Sequence, residues 1–199
     1  MTDRTTLYLA CSALGMLALA SAPAPQAHAD DAARAAAAST ERYSGGERRK
    51  TNELVKIVRQ ATARFRDVEV AESEHYNLLF GCVSGEDSGA MGLHYVNLAL
   101  YADGKINAVE PEIVIYEPTS SGRPRLIGAD YIVDAATWDK THAQAPELNG
   151  QIFHYFGAPN RFGLPPFYTL HVWAWKDNPN GTFTNWNPNV SCDAYNPRP

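Results

Sequence analysis

Cysteine is scarce in this 199-residue chain, at three residues, and no apolar run reaches the roughly 18–20 residues that a membrane-spanning helix needs. No P-loop, Gly-x-Gly-x-x-Gly fingerprint, Cys-x-x-Cys pair or Ser nucleophile elbow occurs. Phosphate-cradling, dinucleotide-binding, dithiol and serine-hydrolase mechanisms are therefore without support. Positive charge is also short: 17 Lys and Arg face 22 Asp and Glu, a net charge of −5. That balance argues against nucleic acids and anionic membrane surfaces as partners.

What is present begins with an export pattern. Arg4, beside Asp3, supplies a positive start, Leu7 to Ala20 forms a short apolar run, and Ala27-His28-Ala29 is a small-x-small cleavage site. Residues 1–29 read as a signal peptide cut before Asp30, which places the mature protein in the periplasm or outside the cell, with no membrane attachment. A lipoprotein reading on Leu9-Ala10-Cys11 would leave almost no apolar run ahead of the cut. Cleavage before Asp30 removes Cys11 and leaves Cys82 and Cys192. An even pair in an exported protein predicts one disulfide, closing a loop of more than a hundred residues. The rival reading, two thiolate metal ligands, is disfavoured by an oxidising compartment. Asn180-Gly181-Thr182 and Asn189-Val190-Ser191 match the glycosylation sequon, which matters only in a eukaryotic source.

Residues 30–46 are Ala-rich, then polar, with no apolar period, and read as a disordered arm. Residues 47–199 form a single domain. It opens with an amphipathic helix over about 47–65, where Leu54, Val55, Val58, Ala61 and Phe65 make the apolar stripe and Arg48, Arg49, Lys56, Arg59 and Arg64 the polar side. A short helix follows near 67–74 with Asp67 as its cap. The character then turns to β. Strands are expected over 78–83, 91–96, 112–117, 125–133, 151–156 and 168–175, with a capped helix at 135–143 after Asp134. The fold class is α+β, an antiparallel sheet of about six strands. Several strands are apolar on both faces, so the sheet is expected to curl, as a small β-barrel or half-barrel.

Tyr168 to Trp175 is a buried strand in which period two places His171, Trp173 and Trp175 on one face. His94 and His154 likewise sit in mid-strand among aromatic and aliphatic neighbours. A buried imidazole needs partners, since an unsatisfied polar group costs roughly 1–3 kcal/mol. Imidazoles projecting from neighbouring strands are a common way to hold a divalent transition metal, zinc, copper or iron. The candidate ligands are His94, His171, His154 and Glu117, with Tyr95, Tyr116, Trp173 and Glu112 lining the pocket. Glu112 and Glu117 differ in parity, so a regular strand sends at most one of them to the site. Two other readings stand beside this one. The histidines can be structural, each bonded to a carbonyl or tyrosine, or they can anchor a small ligand in a metal-free apolar cavity. A sugar-stacking platform of Trp173, Trp175, Phe183 and Trp186 with Glu112 and Glu117 as acid and base is a weaker idea, because strand aromatics are usually core. His75 and His142 are expected to face solvent.

Three motifs, Met91-Gly92-Leu93-His94-Tyr95-Val96-Asn97, Pro111-Glu112-Ile113-Val114-Ile115-Tyr116-Glu117-Pro118, and Leu170-His171-Val172-Trp173-Ala174-Trp175 running on through Trp186-Asn187-Pro188 to Cys192, resemble a family of exported bacterial proteins. The resemblance covers roughly residues 60–192. It implies export and a shared fold, but no reaction. It also implies that His94, Glu117 and His171 belong to the shared motifs and that the segment holding His154 varies. Three functions follow as expectations: a His-rich metal-binding protein, a small-molecule binding protein, and a metal-independent enzyme using His171 or His94 as base beside Glu117.

Overall fold

The computed structural model describes residues 26–85 and 87–196. The expected signal peptide, residues 1–29, lies for the most part outside them. Two compact units divide the chain, one ending at Arg42 and the other beginning at Tyr43. The described part of the first unit is helical throughout. Helix α1 runs over Gln26–Thr62, so the 30–46 stretch expected as a disordered arm is helix here, for which its alanines have the strongest intrinsic preference. Among the described residues no helix is long and apolar enough to cross a membrane.

The second unit holds the sheet. Leu54 and Val58 of α1 are fully buried against Ala129, Tyr131, Leu170, Val172 and Ala174, as the apolar stripe predicts. A 3-10 turn, Ala63–Arg66, buries Phe65, and Asp67 then caps α2 (Val68–Ser73) by accepting from the Glu69 amide. The strands follow as β1 (Tyr76–Ser84), β2 (Ala90–Asn97), β3 (Ile113–Glu117) and β4 (Arg125–Asp134). Between β2 and β3 a short helix, α3 (Leu98–Asp103), is capped by Asn97 and closed by Gly104 in the left-handed conformation. Asp134 caps α4, which is shorter than expected at Ala135–Trp138. A two-stranded ribbon, β5 (Glu147–Leu148) with β6 (Gln151–Ile152), precedes β7 (His154–Phe156) and β8 (Phe167–Val172).

The main sheet has six antiparallel strands in the order β1-β2-β3-β4-β8-β7. It is curled but open, with β1 and β7 as its edges, and does not close into a barrel. Bulges bend it at three places: between Leu79 and Cys82, between Val83 and Ser84, and between Ile115 and Tyr116. Its two faces differ. One carries Ala129, Tyr131, Leu170 and Val172 toward α1, with Tyr76, Leu93, Tyr95, Val114 and Tyr116 around Phe65. The other carries Val96, Ile113, Ile115, Ile132, Phe167 and Trp173, and is closed by Val190 of the C-terminal segment. That segment pairs back on β2 through Ala90 and Asn187 and is tied to β1 by the Cys82–Cys192 disulfide, 110 residues apart in sequence.

The disulfide closes most of the sheet into one loop, so its loss acts mainly on the unfolded chain. Replacing Cys82 and Cys192 together by Ala should lower stability by about 4 kcal/mol in urea melts. Reducing the wild type should produce the same drop, and equal midpoints with and without reductant would refute the assignment.

Candidate functional site

His94 on β2, Asp130 on β4 and His171 on β8 share one face. His171 pairs directly opposite Asp130, and His94 pairs with Ile115 of β3, which in turn pairs with Gly128 of β4. Adjacent strands lie about 4.8 Å apart, so on a flat sheet β2 and β8 would be separated by roughly 14 Å. The His94 and His171 rings are nonetheless 6.2 Å apart between centroids, nearly perpendicular to each other. The curl brings them together. Two glycines permit the close approach: a Cβ on Gly128 would stand 2.5 Å from the Val172 carbonyl oxygen, and one on Gly92 2.5 Å from that of Tyr116.

One ligand atom from each of His94, Asp130 and His171 lies within 4.8 Å of the others. All three are buried, at 7%, 6% and 0% exposure. The His94 Nδ1 is 3.1 Å from the Gly92 carbonyl oxygen. A carbonyl only accepts, so Nδ1 carries the proton and Nε2 keeps its lone pair. This is how metal-binding imidazoles are commonly oriented, with the second nitrogen donating to the backbone. Asp130 accepts a 2.5 Å hydrogen bond from the Thr169 hydroxyl on Oδ1, and its Oδ2 is 4.0 Å from His171 Nδ1. That distance is too long for a hydrogen bond. Neither ring nitrogen of His171 has a hydrogen-bond partner, and the ring packs at 4.4 Å on Trp173.

Burial sets the charges. It pushes the Asp130 carboxyl up to about 7, against hydrogen bonds from Thr169 and two backbone amides that favour the anion. It pushes His94 down to about 4, despite the bond to Gly92. It also drives His171 well below the usual imidazole range, with help from the nearby His94 and His154. At neutral pH both imidazoles are uncharged, with free lone pairs beside a carboxyl near its midpoint.

The other expected site residues lie elsewhere. His154 is exposed on the edge strand β7, two positions along the shared face from His171 by way of its partner Thr169. It is no member of the buried group. Glu117 is buried at the other end of β3, where Lys176 donates to it at 2.6 Å and Arg125 pairs with its second oxygen. Burial alone would raise its pKa, but those two cations outweigh it and hold the carboxylate below its ordinary value. With both oxygens so engaged, Asp130 stands where Glu117 was expected. Tyr95 and Tyr116 pack on each other on the opposite face, ring centroids 5.0 Å apart, with Tyr116 donating to the Phe65 carbonyl. Trp173 is beside His171 as predicted, whereas Trp175 crosses to the α1 side and donates to the Thr62 hydroxyl. The alternation fails there because β8 ends at Val172, and the Trp173 amide bonds Thr182 instead of continuing the ladder. His75 and His142 are exposed, the latter stacked on Trp138.

Asp130 and Thr169 escape a reading centred on histidines. The sign was present: Asp130 is the lone charge in the interior of the apolar run Leu126 to Val133, the same anomaly that singles out His94 and His171. No family model, curated protein or solved structure matches the chain.

Glu112 is buried too, but apart from this group, accepting from the Ile132 amide at 3.1 Å. Burial raises its pKa from 4.5 to about 8. The folded state therefore holds an extra proton there between those values, and stability falls as pH rises across that window. Glu112→Gln keeps an acceptor for Ile132 and removes the slope. In urea melts it should gain on the wild type by about 3–4 kcal/mol between about pH 5 and pH 8. A difference that stays constant over the window would mean the carboxyl is already ionised in the fold.

Proposed function

We propose that the chain is exported and binds a divalent transition metal through His94, Asp130 and His171. The observation that carries this reading is His171: fully buried, bonded through neither nitrogen, and facing a carboxylate oxygen at 4.0 Å. A structural histidine would have a partner, because leaving a buried imidazole unpaired costs roughly 1–3 kcal/mol. An ion supplies that partner. Two ligands on one ion at about 2.1 Å stand at most about 4.2 Å apart. The Asp130–His171 separation already fits, and the widest pair need close by well under an ångström. Two imidazoles and one carboxylate form the donor set of zinc hydrolases and of non-haem iron(II) centres, and leave coordination positions open. Export is supported by the leader pattern and by the Cys82–Cys192 bridge.

Two measurements test the metal. Untagged protein should take up close to one equivalent of zinc or iron(II), and His171→Leu should abolish uptake. In the metal-free state the same substitution should raise stability by about 1–2 kcal/mol, since it replaces an unpaired polar ring with an apolar side chain. A His171→Leu protein less stable than metal-free wild type would assign the ring a structural role. The competing proton sits on Asp130, whose carboxyl is raised to about 7, so affinity should fall roughly tenfold per pH unit below neutrality. Titration calorimetry at a series of pH values would read this, and a flat profile between about pH 5 and pH 7 would show that no proton on Asp130 competes with the ion in that range.

A further inference from the structure

An apolar slot opens beside this cluster. Its inner end is formed by His94, Asp130 and Thr169, and its walls by Phe80, Met91, Phe156, Phe162, Leu164 and Phe167, around a cavity of about 40 Å³. A second cavity of about 50 Å³ shares Phe80, Ile113, Ile132 and Leu164 with the first and continues it toward Leu98 at the surface. Its polar groups are confined to the inner end. The phenyl rings form a connected wall: Phe156 stacks on Phe167 at 5.1 Å, Phe162 meets Phe167 edge-on at 6.3 Å, and Phe80 lies 5.6 Å from Phe162.

Phe80 holds this place at a cost. It and Gly81 are the two extra residues of the bulge between Leu79 and Cys82, and Phe80 has φ of +65°, a conformation that bulky side chains rarely adopt. Half of its surface remains exposed, at 49%. A strained residue that leaves a phenyl ring at the mouth of a slot, only half buried in return, indicates a ligand-facing position.

We infer that this slot receives the short hydrocarbon tail of a small ligand whose oxygen-bearing head completes the coordination of the ion held by His94, Asp130 and His171. The inference rests on the metal reading above and names the class of ligand it serves. The chemistry of the two ends is complementary to such a molecule. The ion's open positions take a carboxylate, hydroxamate or carbonyl oxygen, while the walls offer a tail no hydrogen bond. The inner cavity is small, about 40 Å³, so only the first few atoms of a tail lie in it before the second cavity begins.

Zinc-loaded protein titrated with acetohydroxamate, propionohydroxamate and butyrohydroxamate tests this directly. Each added methylene should tighten binding about fourfold if it enters the slot. Leu164→Gln and Phe80→Ala, both away from the ligands, should keep zinc uptake and flatten that dependence. Zinc uptake with equal affinity for all three hydroxamates, or with no hydroxamate binding, would overturn the slot and leave the metal site standing. A chain-length gain that both variants leave untouched would place the tail elsewhere and likewise overturn it. Failure of zinc to bind at all would overturn both readings, and that result is seen before any hydroxamate is added.

Discussion

Imidazoles on β2 and β8 meet only because the sheet between them bends, and the bend depends on backbone approaches that leave no room for a side chain. Gly92 and Gly128 sit where a Cβ would collide with a neighbouring carbonyl oxygen, and the bulge after Ile115 lies between them. Flattening the sheet would part His94 from His171 by about three strand spacings and leave Asp130 beside only one of them. The rest of the second unit serves the same curvature. Leu54 and Val58 of α1 fill one face, and on the other Val190 joins the core while the Cys82–Cys192 bridge ties the C-terminal segment to β1.

That arrangement concentrates polar groups where the fold gains least from them. His94, Asp130, Thr169 and His171 are enclosed among Ile113, Ile115, Ile132, Phe167 and Trp173, which would pack readily against apolar neighbours. Thr169 and Gly92 satisfy part of the cluster, holding Asp130 and fixing the His94 tautomer, and His171 is left unsatisfied. Local inconsistencies of this kind, in a core otherwise consistent with its sequence, collect at functional sites. The strained Phe80 at the mouth of the adjoining slot is a second one, close by on the same side of the sheet. Glu112 shows the contrast: it is equally buried, but it has a backbone donor and takes a proton, and so is settled without an ion.

Much of the architecture was legible in the chain. The alternation and turn chemistry placed five of the six main strands to within three residues but ran β7 together with β6, which belongs to the separate ribbon; Asp67 and Asp134 marked real helix caps, and the Leu54–Val58 stripe identified the buried side of α1. Two of the three clustered residues, His94 and His171, stood out as polar groups in apolar strands. Asp130 carries the same mark, a single charge within an apolar strand. Glu117, at the end of β3, is the other buried carboxylate that the strands offer. What moved it out of contention was Lys176, which lies nearly sixty residues downstream and reaches it only after β8 has crossed the sheet.

The sequence by itself determined the α+β class, the approximate positions of the strands, the disulfide partners and the presence of imidazoles inside the sheet, because each depends on local period, spacing or residue type. Only the tertiary structure decided which of those groups meet. Contact between β2 and β8 is a property of curvature accumulated over intervening strands, through bulges and glycine contacts that a period of two does not encode. Partner choice among carboxylates follows the same rule: Asp130 faces His171 because β4 and β8 pair in one register, and a shift of a single residue would turn it to the other face.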